Sequence, residues 1–438
     1  MCTSLEDGGL SYLKINNESY KATICMKCKV KSPQVVIRVN DAFCRECFLM
    51  YCTHKFRSAF GKSKIIRDGE KVLVAFSGGQ ASTAMLHLVK EGKSVRAQKK
   101  LRFVPGLIYV DEGAVLGHSN EDRQRIIDRI SELFMDSGYE HHIIKLEQVF
   151  SEEFSDATLL SPNNAEVKTS QERLQQLFDS VQTITAKEQF LRTLRQQLIS
   201  QVAKSQGYSK VIIGDTSSRL SVALLSSMAQ GKGAHIAYDT SLIDDRYDQL
   251  LLIRPMREFT SKEVTMYNRF YGLNPLVVPT FTTKATSGAS IDKLTETFVS
   301  GLQAEFPSTV STIMRTGDKL SNGKVSMPDA DGNTTSPCML CLAPLDISVA
   351  ESSALGSVRY TNQLAASRKS DSPTSSADNI SASLERSCDL NSYDSSCCYS
   401  CQRLLEDMPQ PKFLPGAVFS REQSRLAMKS YIEENLLS

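Results

Sequence analysis

The residues whose types and spacing can do chemistry fall into two groups, paired cysteines and a serine–glycine turn. Cys25-Met26-Lys27-Cys28 is followed by Cys44-Arg45-Glu46-Cys47. Each Cys-x-x-Cys knuckle offers two thiolates from one tight turn, and two knuckles at this separation predict a tetrahedral zinc ribbon. Cys52 and His54 follow closely, but four ligands are already present. Toward the other end, Cys338-Met339-Leu340-Cys341 and Cys398-Tyr399-Ser400-Cys401 repeat the pattern, with Cys397 an alternative to Cys398 and Cys388 a spare. The second group is Ser77-Gly78-Gly79-Gln80-Ala81-Ser82. Its glycines let backbone N–H groups approach an anion, a helix start adds positive potential, and Ser77 and Ser82 carry hydroxyl donors. The same residues would also make a plain strand-to-helix turn that binds nothing. Gly61-Lys62-Ser63 looks like the end of a Walker loop, but the first glycine of that motif would fall on Phe56, so it is rejected.

These groups need elements to position them. Residues 71–76 form a nearly continuous apolar run, as expected of a strand buried on both faces, and 82–89 reads as the helix that follows the turn. Further strands are expected at 103–110, 142–146, 211–213 and 250–253, and helices at 120–135, 187–206, 220–229 and 261–271. Residues 151–170 are polar and read as a loop, and 35–39 as a strand between the first cysteine pairs. Strands separated by helices predict an α/β fold with a doubly wound parallel sheet. Ligands of such sheets bind at the carboxyl ends of the strands. The serine–glycine turn and the turns after Val110 and Ile213 all fall there.

Composition narrows the class. Of 438 residues, 41% are hydrophobic and 23% charged, the balance of a globular protein with room for two or three domains. The formal net charge is +2, so an RNA surface would have to be a local patch. Arg45, Lys55, Arg57, Lys62 and Lys64 make a modest basic stripe, read as a solvated helix face or as such a contact. No apolar run approaches the roughly 18 residues of a membrane span, and the acidic start is not a signal peptide, so no membrane partner is expected. With 12 cysteines in a chain without secretory features, metal ligation is favoured over disulfides. Three parts are expected: a zinc ribbon and basic helix over 1–64, an α/β domain over 65–275, and a C-terminal region over 276–438 whose serine-rich insert at 350–396 reads as disordered.

The turn resembles the pyrophosphate loop, SGGxDS, of ATP-dependent adenylating enzymes (the PP-loop, or adenine nucleotide alpha hydrolase-like, fold), with Ala81 where that family has its aspartate. Gly214-Asp215-Thr216-Ser217-Ser218-Arg219-Leu220-Ser221 sits where tRNA thiolases of that superfamily have a GHNxDD-like turn. Asp215 takes the histidine position, and Ser218 and Arg219 the acidic pair. Ile253-Arg254-Pro255-Met256 resembles their RPL element, while the cysteine they place before the long central helix has no counterpart between Cys52 and Cys338. The ordered set, with both pairs of cysteine knuckles, resembles the cytoplasmic tRNA 2-thiolation protein 2 family. That resemblance implies a cytoplasmic subunit that supports ATP-dependent sulfur transfer to the wobble uridine of lysine, glutamate and glutamine tRNAs. It implies a catalytic thiolase subunit as heterodimeric partner, a ubiquitin-like thiocarboxylated sulfur carrier, tRNA as substrate, zinc as cofactor, and ATP as a ligand of the degenerate loop. Two other readings stay open: an autonomous ATP-dependent tRNA thiolase or amidotransferase, and a zinc-ribbon RNA-binding scaffold.

Overall fold

A computed structural model describes residues 24–38, 40–61, 65–95, 97, 100–151, 164–247, 249–284, 286, 288–320, 337–345, 396–408 and 414–415. It begins with a short antiparallel ribbon, β1 (Val35–Val36) against β2 (Ala42–Phe43), which leads into helix α1 (Arg45–Gly61). The apolar run then becomes β3 (Lys71–Ala75), with Val72, Leu73 and Val74 fully buried, and α2 (Gln80–Lys93) follows the glycine turn. Next come β4 (Val104–Asp111), α3 (Gly113–Leu116), α4 (Asn120–Met135), β5 (Glu140–Lys145), α5 (Asn164–Ser180), α6 (Ile184–Ser205), β6 (Lys210–Ile212) and α7 (Ser217–Ala229). The succession continues with α8 (Ile236–Thr240), β7 (Ile243–Tyr247), β8 (Leu250–Ile253), α9 (Ser261–Tyr271), α10 (Phe281–Lys284), α11 (Ile291–Glu305), α12 (Thr309–Gly317) and α13 (Tyr399–Glu406).

The six-stranded sheet runs in the order β5-β4-β3-β6-β8-β7. All neighbours are parallel except β7 on β8. The doubly wound α/β expectation holds, with one correction: the edge strand β7 is antiparallel and was not expected. Its sequence, Ile-Asp-Asp-Arg-Tyr, lacks an apolar run because Asp244 is buried as a charge paired with Arg246 and Arg254. A second correction concerns 151–170. Residues 152–163 lie outside those described, but α5 begins at Asn164, so the expected loop ends earlier than the polar composition indicated. The serine-rich insert from 350 to 395 and Cys388 also lie outside the described residues.

Alternation along β3 divides the core. Leu73 points into one cluster with Phe190, Leu194 and Leu198 of α6 and Leu174 and Leu177 of α5. Val72 and Val74 join the other, with Met85 and Leu88 of α2, Ile130 and Phe134 of α4, and Val264 and Tyr267 of α9. Period-two alternation within a helix-covered sheet thus gives three layers. Cys25, Cys44 and Cys47 belong to the second cluster, and Cys338, Cys398 and Cys401 to the first. Each set of knuckles is therefore docked on its own face of the sheet.

Candidate functional site

The sheet grows from β3 first to β4 and β5 on one side and then to β6 and β8 on the other, so the turn after β3 is at the switch point where α/β sheets bind ligands. That turn has the shape of an anion cradle. Gly78 has φ +78, a conformation that favours glycine, and the backbone N–H of Leu276 donates to its carbonyl at 2.8 Å. The Leu276 side chain would lie 3.2 Å from a Cβ at this position. Gly79 is the N-cap of α2 and has no side chain to occupy the first N–H groups of the helix. Ser77 is exposed, and its Oγ lies 3.2 Å from Ser82 Oγ. Ser82 is buried and donates to the Gly79 carbonyl at 3.1 Å, so it stiffens the turn while Ser77 faces solvent. Asn268 of α9 fixes the helix start by donating to the Gln80 carbonyl at 2.9 Å. Replacing Gly78 by valine is expected to cost about 1–3 kcal/mol through the left-handed backbone and the Leu276 contact, leaving the sheet folded. A circular-dichroism melt checks the size of the shift.

Around this loop the carboxylates are already engaged. Asp111, at the end of β4, accepts from Arg123 Nε at 2.8 Å, and Arg123 also reaches Glu147 at 2.7 Å. Glu112 holds Arg195 of α6, with one contact at 3.0 Å. Asp215, after β6, faces Arg254 at 3.5 Å, and Arg254 in turn bonds Asp244 of β7 at 3.2 Å. Burial works against the charge of Arg195, but Glu112, with Asp215 beyond it, holds the guanidinium pKa above its usual value. Ala81 contributes no carboxylate. The RP element pointed to Arg254. Arg123 and Arg195 lie inside ordinary amphipathic helices, where nothing local marks them.

The cysteines gather into two tetrads. Cys25, Cys28, Cys44 and Cys47 place their sulfurs within 4.8 Å of one another, and so do Cys338, Cys341, Cys398 and Cys401. Each tetrad could hold a tetrahedral metal ion. Cys398 belongs to the second tetrad, and Cys397 is buried beside it. Cys52 is buried within α1 and outside the first tetrad. Burial works against a Cys25 thiolate, but backbone N–H groups of Cys28, Cys44 and Lys27 bring that thiol down to about 6. Burial and the neighbouring thiols push Cys47 up to about 12. In the rear tetrad, hydrogen bonds from Cys341 and its neighbours hold Cys338 well below the usual thiol range, and Cys401 is driven well above it. One thiol in each set thus ionises first, and a dication would complete the set by taking the rest as thiolates. Arg192, Lys232, Asp239 and Arg246 line a cavity beside Cys341 and Cys398, with Arg192 paired to Asp292 and Arg246 to Asp239.

The basic stripe is corrected at its centre. Lys55 is buried and paired with Glu263 of α9 at 2.8 Å, with side-chain exposures of 10% and 1%. Burial works against its charge, but Glu263 more than offsets this and raises the Lys55 pKa. Arg57 turns toward Glu91 at 3.9 Å, and Arg45 donates to the Phe270 carbonyl. Lys55 and Arg57 fasten α1 to the sheet domain, while Arg45 stays exposed at the start of the helix. Lys62 and Lys64 lie outside the described residues.

The mostly parallel sheet with a Ser-Gly-Gly loop after its central strand β3 has the PP-loop fold. The U34-tRNA thiolase NcsA from Methanococcus maripaludis, solved with its [4Fe-4S] cluster, has a similar fold: the TM-score is 0.51 at 16% identity, covering 68% of this chain and 87% of that one. Residues 290–403 match the family model for cytoplasmic tRNA 2-thiolation protein 2. Cytoplasmic tRNA 2-thiolation protein 2-A from Xenopus laevis is 38% identical over 94% of both chains, and the Homo sapiens protein of that family is 35% identical over 92% of this chain and 90% of its own. The chain belongs to the cytoplasmic tRNA 2-thiolation protein 2 family. Among the described residues, no helix is long and apolar enough to cross a membrane.

Proposed function

We propose that this chain is a cytoplasmic subunit of the tRNA wobble-uridine 2-thiolation machinery that supports the reaction without performing it. The observation that carries this reading is the state of the carboxylates at the strand ends. Ala81 removes the loop acid, and Asp111, Glu112 and Asp215 each face an arginine. Magnesium-assisted adenylyl transfer needs free carboxylates to organise the metal on the phosphates, and paired ones serve that role poorly. The sequence also has no cysteine between Cys52 and Cys338 to carry sulfur near the loop. The cysteines it does have converge in two closed tetrads, whose donor sets suit structural zinc. The glycine loop keeps the turn and the Ser77 hydroxyl with which a phosphate, from ATP or from a tRNA backbone, can be held.

On this reading the chain works in a heterodimer with a catalytic thiolase subunit. That partner adenylates the 2-carbonyl oxygen of the wobble uridine in lysine, glutamate and glutamine tRNAs and takes sulfur from a thiocarboxylated ubiquitin-like carrier. The chain divides into a zinc ribbon and helix over 1–64, the PP-loop domain over 65–275 and a C-terminal metal-closed region over 276–438. The test is reconstitution from purified chain, ATP, thiocarboxylated carrier and unmodified tRNA. Product is expected only when the partner subunit is added. Robust 2-thiouridine formation by this chain alone would overturn the proposal.

A further inference from the structure

We propose that the front knuckle is an RNA-contact surface on which Lys27 and Lys29 hold phosphates of the tRNA backbone. This deepens the reading above and rests on it for the identity of the polyanion. The first observation is conformational. Lys29 follows Cys28 with φ 55, and Leu342 follows Cys341 with φ 60, so the corresponding position of each knuckle adopts the left-handed region that favours glycine. At the rear, packing accounts for the side chain: Leu342 is half-buried against the core. At the front, Lys29 is exposed. A glycine would make the same turn without the strain, so the turn does not account for the lysine.

The second observation is charge. Lys27 lies between the two cysteines of the knuckle and is also exposed. Among the described residues, neither ammonium group has a hydrogen bond or an ion pair. Nearby cations differ: Lys31 is held by Glu46 at 2.6 Å, and Arg38 lies 3.9 Å from Asp41. Two free ammonium groups next to exposed Met26 and Val30 give a small surface that pairs phosphate contact with apolar contact. With a formal net charge of only +2, binding of a polyanion has to come from such a patch. On α1, Lys55 and Arg57 are spent on Glu263 and Glu91.

The competing explanation is that these lysines neutralise the cysteine tetrad. Lys29→Gly and Lys27→Gln, singly and together, separate the two when the full chain is zinc-loaded and combined with its catalytic partner. Three quantities are read: affinity for unmodified lysine tRNA across a salt series, zinc loss to a chelator, and the melting midpoint. The double variant is expected to bind tRNA about tenfold more weakly at low salt, with a log–log salt slope shallower by about 0.7–0.9 for each lysine removed. Zinc loss is expected to be unchanged, and the Lys29→Gly midpoint to be no lower. Unchanged affinity and slope, or weaker tRNA binding only in step with faster zinc loss, overturns the proposal. So does unchanged tRNA binding with weakened attachment of a protein partner. In those cases thiolation by the complex persists and the functional reading survives. Absence of tRNA binding by the unmutated complex removes both.

Discussion

Arg254→Ala is expected to destabilise the metal-loaded chain by about 3–5 kcal/mol, the cost of removing one partner from a buried ion pair. Arg254 is 1% exposed and makes contacts that alanine cannot replace. Its guanidinium donates to the carbonyls of Tyr238 at 3.1 Å and Ser241 at 3.2 Å, bonds Asp244 at 3.2 Å and faces Asp215 at 3.5 Å. Asp244 is fully buried and shared with Arg246, so one arginine would remain against it while Asp215 lost its partner. A domain's whole stability is about 5–15 kcal/mol, so the loss is a large fraction of it. At about 2–4 °C per kcal/mol for a domain of this size, the melting midpoint is expected to fall by roughly 10 °C. A shift of under about 2 °C would show that the network adds little. Adding Asp244→Leu to Arg254→Met is not expected to recover the loss, because it also takes from Arg246 one of its two carboxylates and leaves Asp215 unpaired. The same network sets an acid limit. Burial works against an Asp239 carboxylate, but Arg246, Lys232 and Arg254 bring it down to about 2. Its contribution is present above the ordinary carboxylate value near 4 and is expected to drain away as pH falls toward 2.

This network shows why some of the molecule was readable in sequence and some was not. Residues 71–76 announced a buried strand because both faces are covered by helices, so no polar residue interrupts the run. The cysteine tetrads were legible because each knuckle is local and the geometry of a tetrahedral site asks only for two of them. The glycine loop was legible in shape for the same reason. The charged groups were not. Lys55 looked like one of several cations on a helix, and its partner Glu263 is 208 positions away in sequence. Glu112 and Arg195 are 83 apart, and only the packing of α6 across the sheet brings them together. β7 was missed because Asp244 and Arg246 satisfy each other and the RP arginine, leaving a strand without the alternation that marks one. Sequence periodicity reports burial of apolar groups. It carries no signal for long-range pairing of polar ones.

Removing the rear metal ligands by Cys338→Ala with Cys401→Ala is expected to undock the C-terminal segments and expose α6. The segments 337–345 and 396–408 are short and remote from each other in sequence, and α13 has 8 residues, too few to be stable alone. Three kinds of contact hold them on the sheet domain. Cys338, Cys398 and Cys401 sit in the same buried cluster as Phe190 and Leu198. Gln197 donates to the Leu340 carbonyl at 2.8 Å, and Thr183 to Asp407 at 2.6 Å. The tetrad itself closes the two segments on each other, and structural zinc in small modules supplies about 10–16 kcal/mol of apparent folding energy. Hydrogen bonds and a few leucines would not hold two separate strips of chain without that closure, because each must also bear its own ordering entropy. The measurement is hydrogen exchange with elemental analysis. The unmutated chain is expected to carry two zinc ions and the variant one, with faster exchange in both segments and along α6 (Ile184–Ser205). The matching front variant, Cys25→Ala with Cys47→Ala, is expected to loosen 25–47 while α1 stays docked through Phe48, Phe56 and the Lys55–Glu263 pair. Equal exchange along α6 in the rear variant and the unmutated chain would mean that the C-terminal segments dock without metal and that the tetrad has another role.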